Sequence, residues 1–258
     1  MIRTLCTVMA VGLLAAPVMA DVTVTAQLAG KAGESQSVTY IKGLKMRTDS
    51  TMMGTPSSTI IDIEGQKFIS INHKKKEVTV HDMAQFREDL NKTMKTGAVQ
   101  ASLKPNGQKK DFAGRDCTGY DMATAVPMAM GGPGGPELTI TMAGPVFIAK
   151  GAPGSADYAR FHNAAAEKGF VMSDPRAAKG NPSAQGMTQL YKAMADTGGI
   201  PYYMEISVKV EGGGPMGGMM NKMMGGAAFT QTVTAVSTDA VPDDKFALPA
   251  DYKVKDAK

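Results

Sequence analysis

Apolar and polar residues alternate with a period of two along much of this chain, the mark of strands with one covered face. The first run sets Val22, Val24, Ala26 and Leu28 against Thr23, Thr25 and Gln27. Lys31-Ala32-Gly33 turns it into a second run, with Val38 and Tyr40 facing one way. Four short runs follow between Lys42 and Met83. Leu44–Met46 leads into the turn Met53-Gly54-Thr55-Pro56. Thr59, Ile61 and Ile63 then share one face, with Ile60, Asp62 and Glu64 on the other. After Glu64-Gly65-Gln66, Ile69 and Ile71 alternate with Ser70 and Asn72. Past the Lys74–Lys76 corner, Val78 and Val80 alternate with Glu77, Thr79 and His81. Strands this close in sequence pair as hairpins and need no crossover helix. An antiparallel meander is predicted.

The period changes to that of a helix in three places. Met83, Phe86, Leu90 and Met94 predict a helix over Asp82–Lys95, with Asp82 as its N-cap. Ser155 opens a second, whose stripe is Tyr158, Phe161 and Ala165 with the stem of Lys168, ending at Gly169. Met187, Leu190, Tyr191 and Met194 mark a third, stopped by Gly198-Gly199. Between them, 97–107 reads as loop, 110–125 as a hairpin around Gly114, and 138–149 as a strand kinked at Gly144-Pro145. Residues 173–182 read as a polar loop. The clearest strand sets Met204, Ile206, Val208 and Val210 against Tyr203, Glu205, Ser207 and Lys209, with 228–237 as its partner. Residues 243–252 read as an extended tail.

Four of these segments carry a resemblance: GLKMRTDS, SSTIIDIEGQKFISINHKKKEVTVHDM, GGIPYYMEISVKV and FTQTVTAVSTDAVPDDKFALPADYK. They resemble a bacterial exported family known as a domain of unknown function. That family is similar in fold to the periplasmic lipoprotein-carrier (LolA-like) proteins. The resemblance implies an α+β fold: a strongly curved, open antiparallel sheet, or half-barrel, with about three α-helices packed on its concave side. It runs over residues 21–258 as one domain, and it brings fold and compartment but no catalytic signature.

The N-terminus places the chain in that compartment. Arg3, the apolar run Val8–Ala16 and the small-residue end Pro17-Val18-Met19-Ala20 read as a signal peptide cleaved after Ala20, hence a periplasmic protein. The run is too short to span a bilayer, and no transmembrane segment is expected in the mature chain. Cys6 precedes the apolar run, so no lipid anchor is expected. Cys117 is then the one remaining thiol, which excludes an internal disulfide and reads as a buried strand cysteine. The formal charge of +4, reduced by the loss of Arg3, is too weak and too dispersed to point to nucleic acid. A monomeric state is compatible with this reading.

Methionine changes the picture more than charge does. There are 21 in the chain, several of them in two Gly/Pro-rich stretches at 127–136 and 212–226 that are predicted to lack regular structure. Three readings stand side by side. The stretches are surface loops, or adaptable apolar flaps over the mouth of the half-barrel. Alternatively Met216, Met219, Met220, Met223 and Met224 form a thioether site for Cu(I), with no His or Cys inside the stretch to tighten it.

His73 and His81 flank one corner and can approach each other across a hairpin, but two imidazoles do not make a zinc site. These two and His162 read as surface or boundary residues. Asp62 and Glu64 read as solvated turn carboxylates. No Gly-x-Ser-x-Gly elbow, phosphate loop or His-Glu-x-x-His is present, so neither catalysis nor a cofactor is expected.

The leading expectation is a non-enzymatic periplasmic binding or carrier protein for a hydrophobic ligand, a lipid or lipoprotein acyl chain. Its expected walls are Ile61, Ile63, Ile69 and Ile71 from strands, with Phe86, Leu90, Tyr158, Phe161, Leu190 and Tyr191 from helices. The alternatives are copper handling by the second methionine stretch, and an envelope scaffold or stress protein with no small ligand.

Overall fold

A computed structural model describes residues 21–30, 33–52, 54–93, 100–129, 137–172, 183–224 and 228–257. The proposed signal peptide, residues 1–20, lies outside them, as do most of the first methionine stretch and the polar loop at 173–182.

The alternation of the N-terminal part becomes six strands: β1 (Val22–Gly30), β2 (Gly33–Lys42), β3 (Lys45–Met52), β4 (Thr55–Asp62), β5 (Lys67–Asn72) and β6 (Glu77–Asp82). Helix α1 (Met83–Thr93) follows, and Asp82 caps it: its Oδ1 accepts from the amides of Ala84 at 2.8 Å and Gln85 at 3.1 Å. Strands β7 (Gln100–Phe112), β8 (Arg115–Ala129) and β9 (Glu137–Lys150) form a second meander. Helices α2 (Ser155–Glu167) and α3 (Ser183–Ala195) precede β10 (Gly199–Gly212). Helix α4 (Gly214–Met224), β11 (Ala228–Ser237), a 3-10 turn (Asp243–Phe246) and β12 (Lys253–Asp256) complete the described chain.

All twelve strands form one open sheet in the order β12-β6-β5-β4-β3-β2-β1-β11-β10-β9-β8-β7. Each meander keeps its sequence order, and the β1–β11 pair joins the two. Every neighbouring pair is antiparallel except β12–β6, which is parallel, so the sheet is mixed. It bends enough for β7 and β11, four places apart in that order, to touch. Helices α2 and α3 pack on each other, α2 against β2 and β10, and α3 against β7, β8 and β10.

Register decides which side chains share a face. In the first meander one row crosses the sheet as Val22, Ile41, Met46, Ile61, Phe68 and His81. All six are buried, and the row runs into the main core with Phe147, Phe161, Phe170 and Tyr202. The next row on this face is Val24, Thr39, Thr48, Thr59, Ser70 and Thr79, and the one beyond is Ala26, Ser37, Ser50, Ser57, Asn72 and Glu77. The face thus grades from hydrocarbon to hydroxyl along the strands.

The opposite face holds a smaller cluster of Ile60, Ile69, Ile71 and Val78, covered by Phe246 and Tyr252 from the C-terminal segment. Ile69 and Ile71 therefore do not share a wall with Ile61. The four-residue turn at 63–66 pairs Asp62 with Lys67, so Ile61 faces Phe68 and Ile60 faces Ile69. In a hairpin this parity is fixed by the turn.

Several elements differ from expectation. Residues 100–107 are not loop: β7 begins at Gln100 and absorbs Pro105 and Gly107 through a register shift before Lys109. Being an edge strand, it tolerates a proline without an amide to donate. Met128 and Ala129 also belong to a strand, paired with Leu138 and Glu137. The tail at 243–252 is not simply extended. It makes a 3-10 turn and continues into β12, where Lys253 N donates to the Lys76 carbonyl at 2.9 Å and Ala257 N to that of Val80 at 2.8 Å. All four residues of β12 are exposed, which covers the edge of β6 with a charged strand.

At Gly144-Pro145, where a kink is expected, β9 keeps its pairing with β8 but loses it with β10. The β9–β10 ladder skips Glu205 and Ile206, and a Cβ on Gly144 would lie 2.0 Å from the Glu205 carbonyl oxygen. Only glycine permits this approach.

Most of the second methionine stretch, expected to be irregular, is helix α4, Gly214–Met224. Gly212, Gly213 and Gly214 all take positive φ and reverse the chain out of β10. Gly217 then lets the helix lie against that turn, since a Cβ there would meet the Gly212 oxygen at 1.8 Å. Asn221 Oδ1 accepts from Val210 N at 3.1 Å, and Met220 packs on Leu138, Ile140 and Val210.

Candidate functional site

Helices α2 and α3 do not fill the face they cover. A cavity of about 420 Å³ lies between them and the sheet, within the ~300–1,000 Å³ common for small-molecule sites. Its floor is Val24 and Ile61, where the hydroxyl-bearing face meets the core. Leu28, Ser50 and Phe229 also line it, and Phe229 is 36% exposed.

The walls differ in chemistry. One is built by β2, β3 and β4, which turn Ser37, Thr39, Thr48, Ser50 and Thr59 into the cavity. Thr39 and Thr48 stand opposite each other in the ladder, and their hydroxyls bond at 3.0 Å. Another part of the lining is apolar: Ile200, Met204 and Ile206 from β10, Met187 from α3 and Met172 after α2. Tyr158 and His162 from α2 and Tyr191 from α3 also line the cavity, with Gln231 from β11 as the remaining polar group. Among the described residues no Asp, Glu, Lys or Arg lines the cavity.

His162 sits at the centre of an aromatic stack. Its ring lies parallel to Tyr191 at 5.1 Å, tilted over Tyr158 at 4.3 Å, and edge-on to Phe161 at 5.4 Å. It is 4% exposed, and its Nδ1 has no hydrogen-bond partner among the described residues. Burial pushes the imidazole down to about 3 and raises the hydroxyls of Tyr158 and Tyr191 above their ordinary range. The reading of His162 and His81 as surface or boundary residues is overturned: His81, 5% exposed, packs edge-on against Phe68 at 6.0 Å.

A neutral buried imidazole links stability to pH. Between about 3 and its ordinary 6.5 the folded chain holds fewer protons on His162 than the unfolded chain does. Its contribution is complete above that window and is lost as the pH falls through it, with a slope of up to ~1.4 kcal/mol per pH unit. His162→Phe is expected to flatten the acid-side decline of the melting temperature. A profile superimposable on that of the parent protein would assign the decline to other groups.

Of the residues expected to form the wall, Ile61, Tyr158 and Tyr191 line this cavity. Ile63 and Phe161 are packed in the main core, and Phe86 lies half-buried against it. Leu190 belongs to a second cluster with Tyr120, Met122 and Met194. Ile69 and Ile71 are on the far face, and the side chain of Leu90 lies outside the described residues. The hydroxyl wall was not anticipated. Its signal is the phase of the alternation, since Ser37 and Thr39 fall in step with buried Ile41, and Thr48 and Ser50 with Met46.

Other clusters have structural explanations. On the far face Ser58 Oγ is 2.7 Å from His73 Nε2, and His73 Nδ1 is 3.0 Å from the Tyr252 hydroxyl. Spacing of that kind can activate a nucleophile. Here Ser58 is 2% exposed and already accepts from the Arg47 guanidinium at 3.2 Å, which also donates to the Lys245 carbonyl at 2.6 Å. With Lys42–Asp243 at 2.7 Å, this network clasps the C-terminal segment to the sheet. His73 and His81 are thus engaged by different partners and do not converge.

Among the described residues no three His, Cys, Asp or Glu side chains gather as for a metal ion. Of the α4 methionines, Met219 is 52% exposed and Met220 is packed; the side chains of Met216, Met223 and Met224 lie outside the described residues. No helix among the described residues is long and apolar enough to cross a membrane.

Cys117 is 2% exposed in β8, and burial, then the carboxylate of Asp111, push its thiol up to about 11. It is expected to resist a charged disulfide reagent near pH ~8 and to react fully on denaturation, because only the thiolate attacks. Equal rates in both states would contradict the buried placement.

Fold and cavity together define an open-sheet protein with a cleft between sheet and helices whose described lining is uncharged and combines hydroxyl-bearing with apolar residues. No family model matches the chain, and no curated protein matches it. Among solved structures it is similar to an uncharacterized conserved protein from Thermus thermophilus, at 8% identity and a TM-score of 0.41 over 93% of this chain and 92% of that one. A likeness at that level carries no argument about function.

Proposed function

We propose that the protein is a non-enzymatic carrier or binding protein for a hydrophobic ligand, a lipid or an acyl chain, working in the periplasm after export. The cavity between α2, α3 and the sheet carries this reading. Helices packed flush against the sheet would have removed its physical basis; instead about 420 Å³ is left, floored by hydrocarbon and flanked by adaptable methionines. In this reading the open sheet acts as a half-barrel and α2 and α3 sit in its concave side. Phe229, which lines the cavity and is 36% exposed, would serve in this reading as an apolar lip for ligand entry.

Titration with a solvatochromic acyl probe tests the reading. Saturable uptake at one site per chain, reversed by competing lipid, is expected. A signal that rises without saturation would indicate surface adsorption and remove the carrier reading.

A further inference from the structure

The chemistry of the cavity restricts the ligand beyond "hydrophobic". We infer that its occupant is one uncharged amphipath, a monoglyceride-like or long-chain-alcohol-like molecule whose oxygens face the wall of Ser37, Thr39, Thr48 and Thr59. This inference rests on the carrier reading. It excludes the anion of a fatty acid as the preferred guest.

Three observations converge on it. First, among the described residues no charged side chain lines the cavity, so a carboxylate or phosphate entering it would lose water without gaining a counter-ion. His162 does not supply one, because its burial among Tyr158, Phe161 and Tyr191 keeps the ring neutral.

Second, the hydroxyl wall is too polar for a hydrocarbon. Each hydroxyl offers one proton and two lone pairs, so the Thr39–Thr48 bond at 3.0 Å leaves capacity at both ends. Pure alkane packed against it would leave that capacity unused in a dry site, whereas ester or hydroxyl oxygens would meet it. Third, His162 lines the cavity with a buried Nδ1 that has no partner among the described residues. Such a buried orphan calls for an unseen partner, and a neutral ligand hydroxyl or carbonyl is chemically suited to be one. The same lining includes Met187, Met204 and Ile206, an apolar surface for the chain of the same molecule. The volume matches a single drug-sized guest.

The test is calorimetric titration of the delipidated protein with monolaurin and with laurate, which share an acyl chain and differ in the head. Near pH ~8 monolaurin is expected to bind at least about tenfold more tightly, a difference of ~1.4 kcal/mol. The gap should narrow as the pH falls towards the carboxyl range and laurate becomes neutral. Laurate binding as tightly as monolaurin near pH ~8 would overturn the inference while leaving the carrier reading in place. Binding of neither would remove both. The double variant Thr39→Val/Thr48→Val keeps shape and loses the hydroxyls. It should weaken monolaurin about tenfold and leave an unsubstituted alkyl probe unaffected. Equal loss for both ligands, or for neither, would deny the hydroxyl wall its role.

Discussion

Replacing Phe161 by alanine is expected to lower the unfolding free energy by about 3–5 kcal/mol, the range for removing a buried phenylalanine. The side chain is 0% exposed and sits in the main core with Ile41, Phe68 and Phe147, so it holds α2 to the sheet. The neighbouring His162 meets its ring edge-on at 5.4 Å and would lose that support. Urea unfolding at neutral pH measures the effect, and Phe161→Leu, closer in volume, should lose less than about 1.5 kcal/mol. A loss below ~1 kcal/mol for the alanine variant would mean that α2 is not fixed where the cavity requires it.

The second large effect concerns binding, with little change in fold. Ala26 is 2% exposed in β1, paired with Ser37 on one side and Val233 on the other, and its methyl group faces the cavity. Ala26→Phe places a ring in that space and is expected to weaken acyl-probe binding by at least about tenfold. Thr59→Phe, from another strand of the same lining, should act alike. Circular dichroism and thermal melting serve as controls, since a ring that enters open space should disturb packing less than overfilling a dense core. Unchanged affinity in two folded variants would place the probe elsewhere on the protein.

How far the sequence reveals this architecture depends on the surroundings of each element. Strands with one face on the core, such as β1, β2 and β10, are legible because burial imposes the alternation. Strand β12 is not, because Lys253, Val254, Lys255 and Asp256 are all exposed and pair only along an edge. Strand β7 hides behind Pro105 and Gly107, which read as loop residues until the bulge accommodates them. Helix α4 is obscured by glycines that serve close approach to the preceding turn.

The site was legible in part for the same reason. Ile61 reads correctly as inward-facing, but the turn that pairs it with Phe68 sends Ile69 and Ile71 to the far face, and no local pattern reveals that parity. His162 was within reach: Tyr158, Phe161, His162 and Ala165 complete an i, i+3, i+4, i+7 stripe, and all four are buried. The hydroxyl wall needed both register and phase. Serine and threonine on alternating positions suggest solvent until the strands are seen to hold them in line with Ile41, Met46 and Ile61.

The most direct test is native mass spectrometry of the gently purified protein, before and after organic extraction. A bound mass that disappears on extraction and is recovered as a lipid in the solvent is the predicted result. A bare chain that also gains no lipid on incubation would contradict the carrier account, and a bare chain that takes up Cu(I) would transfer function to the methionines of α4.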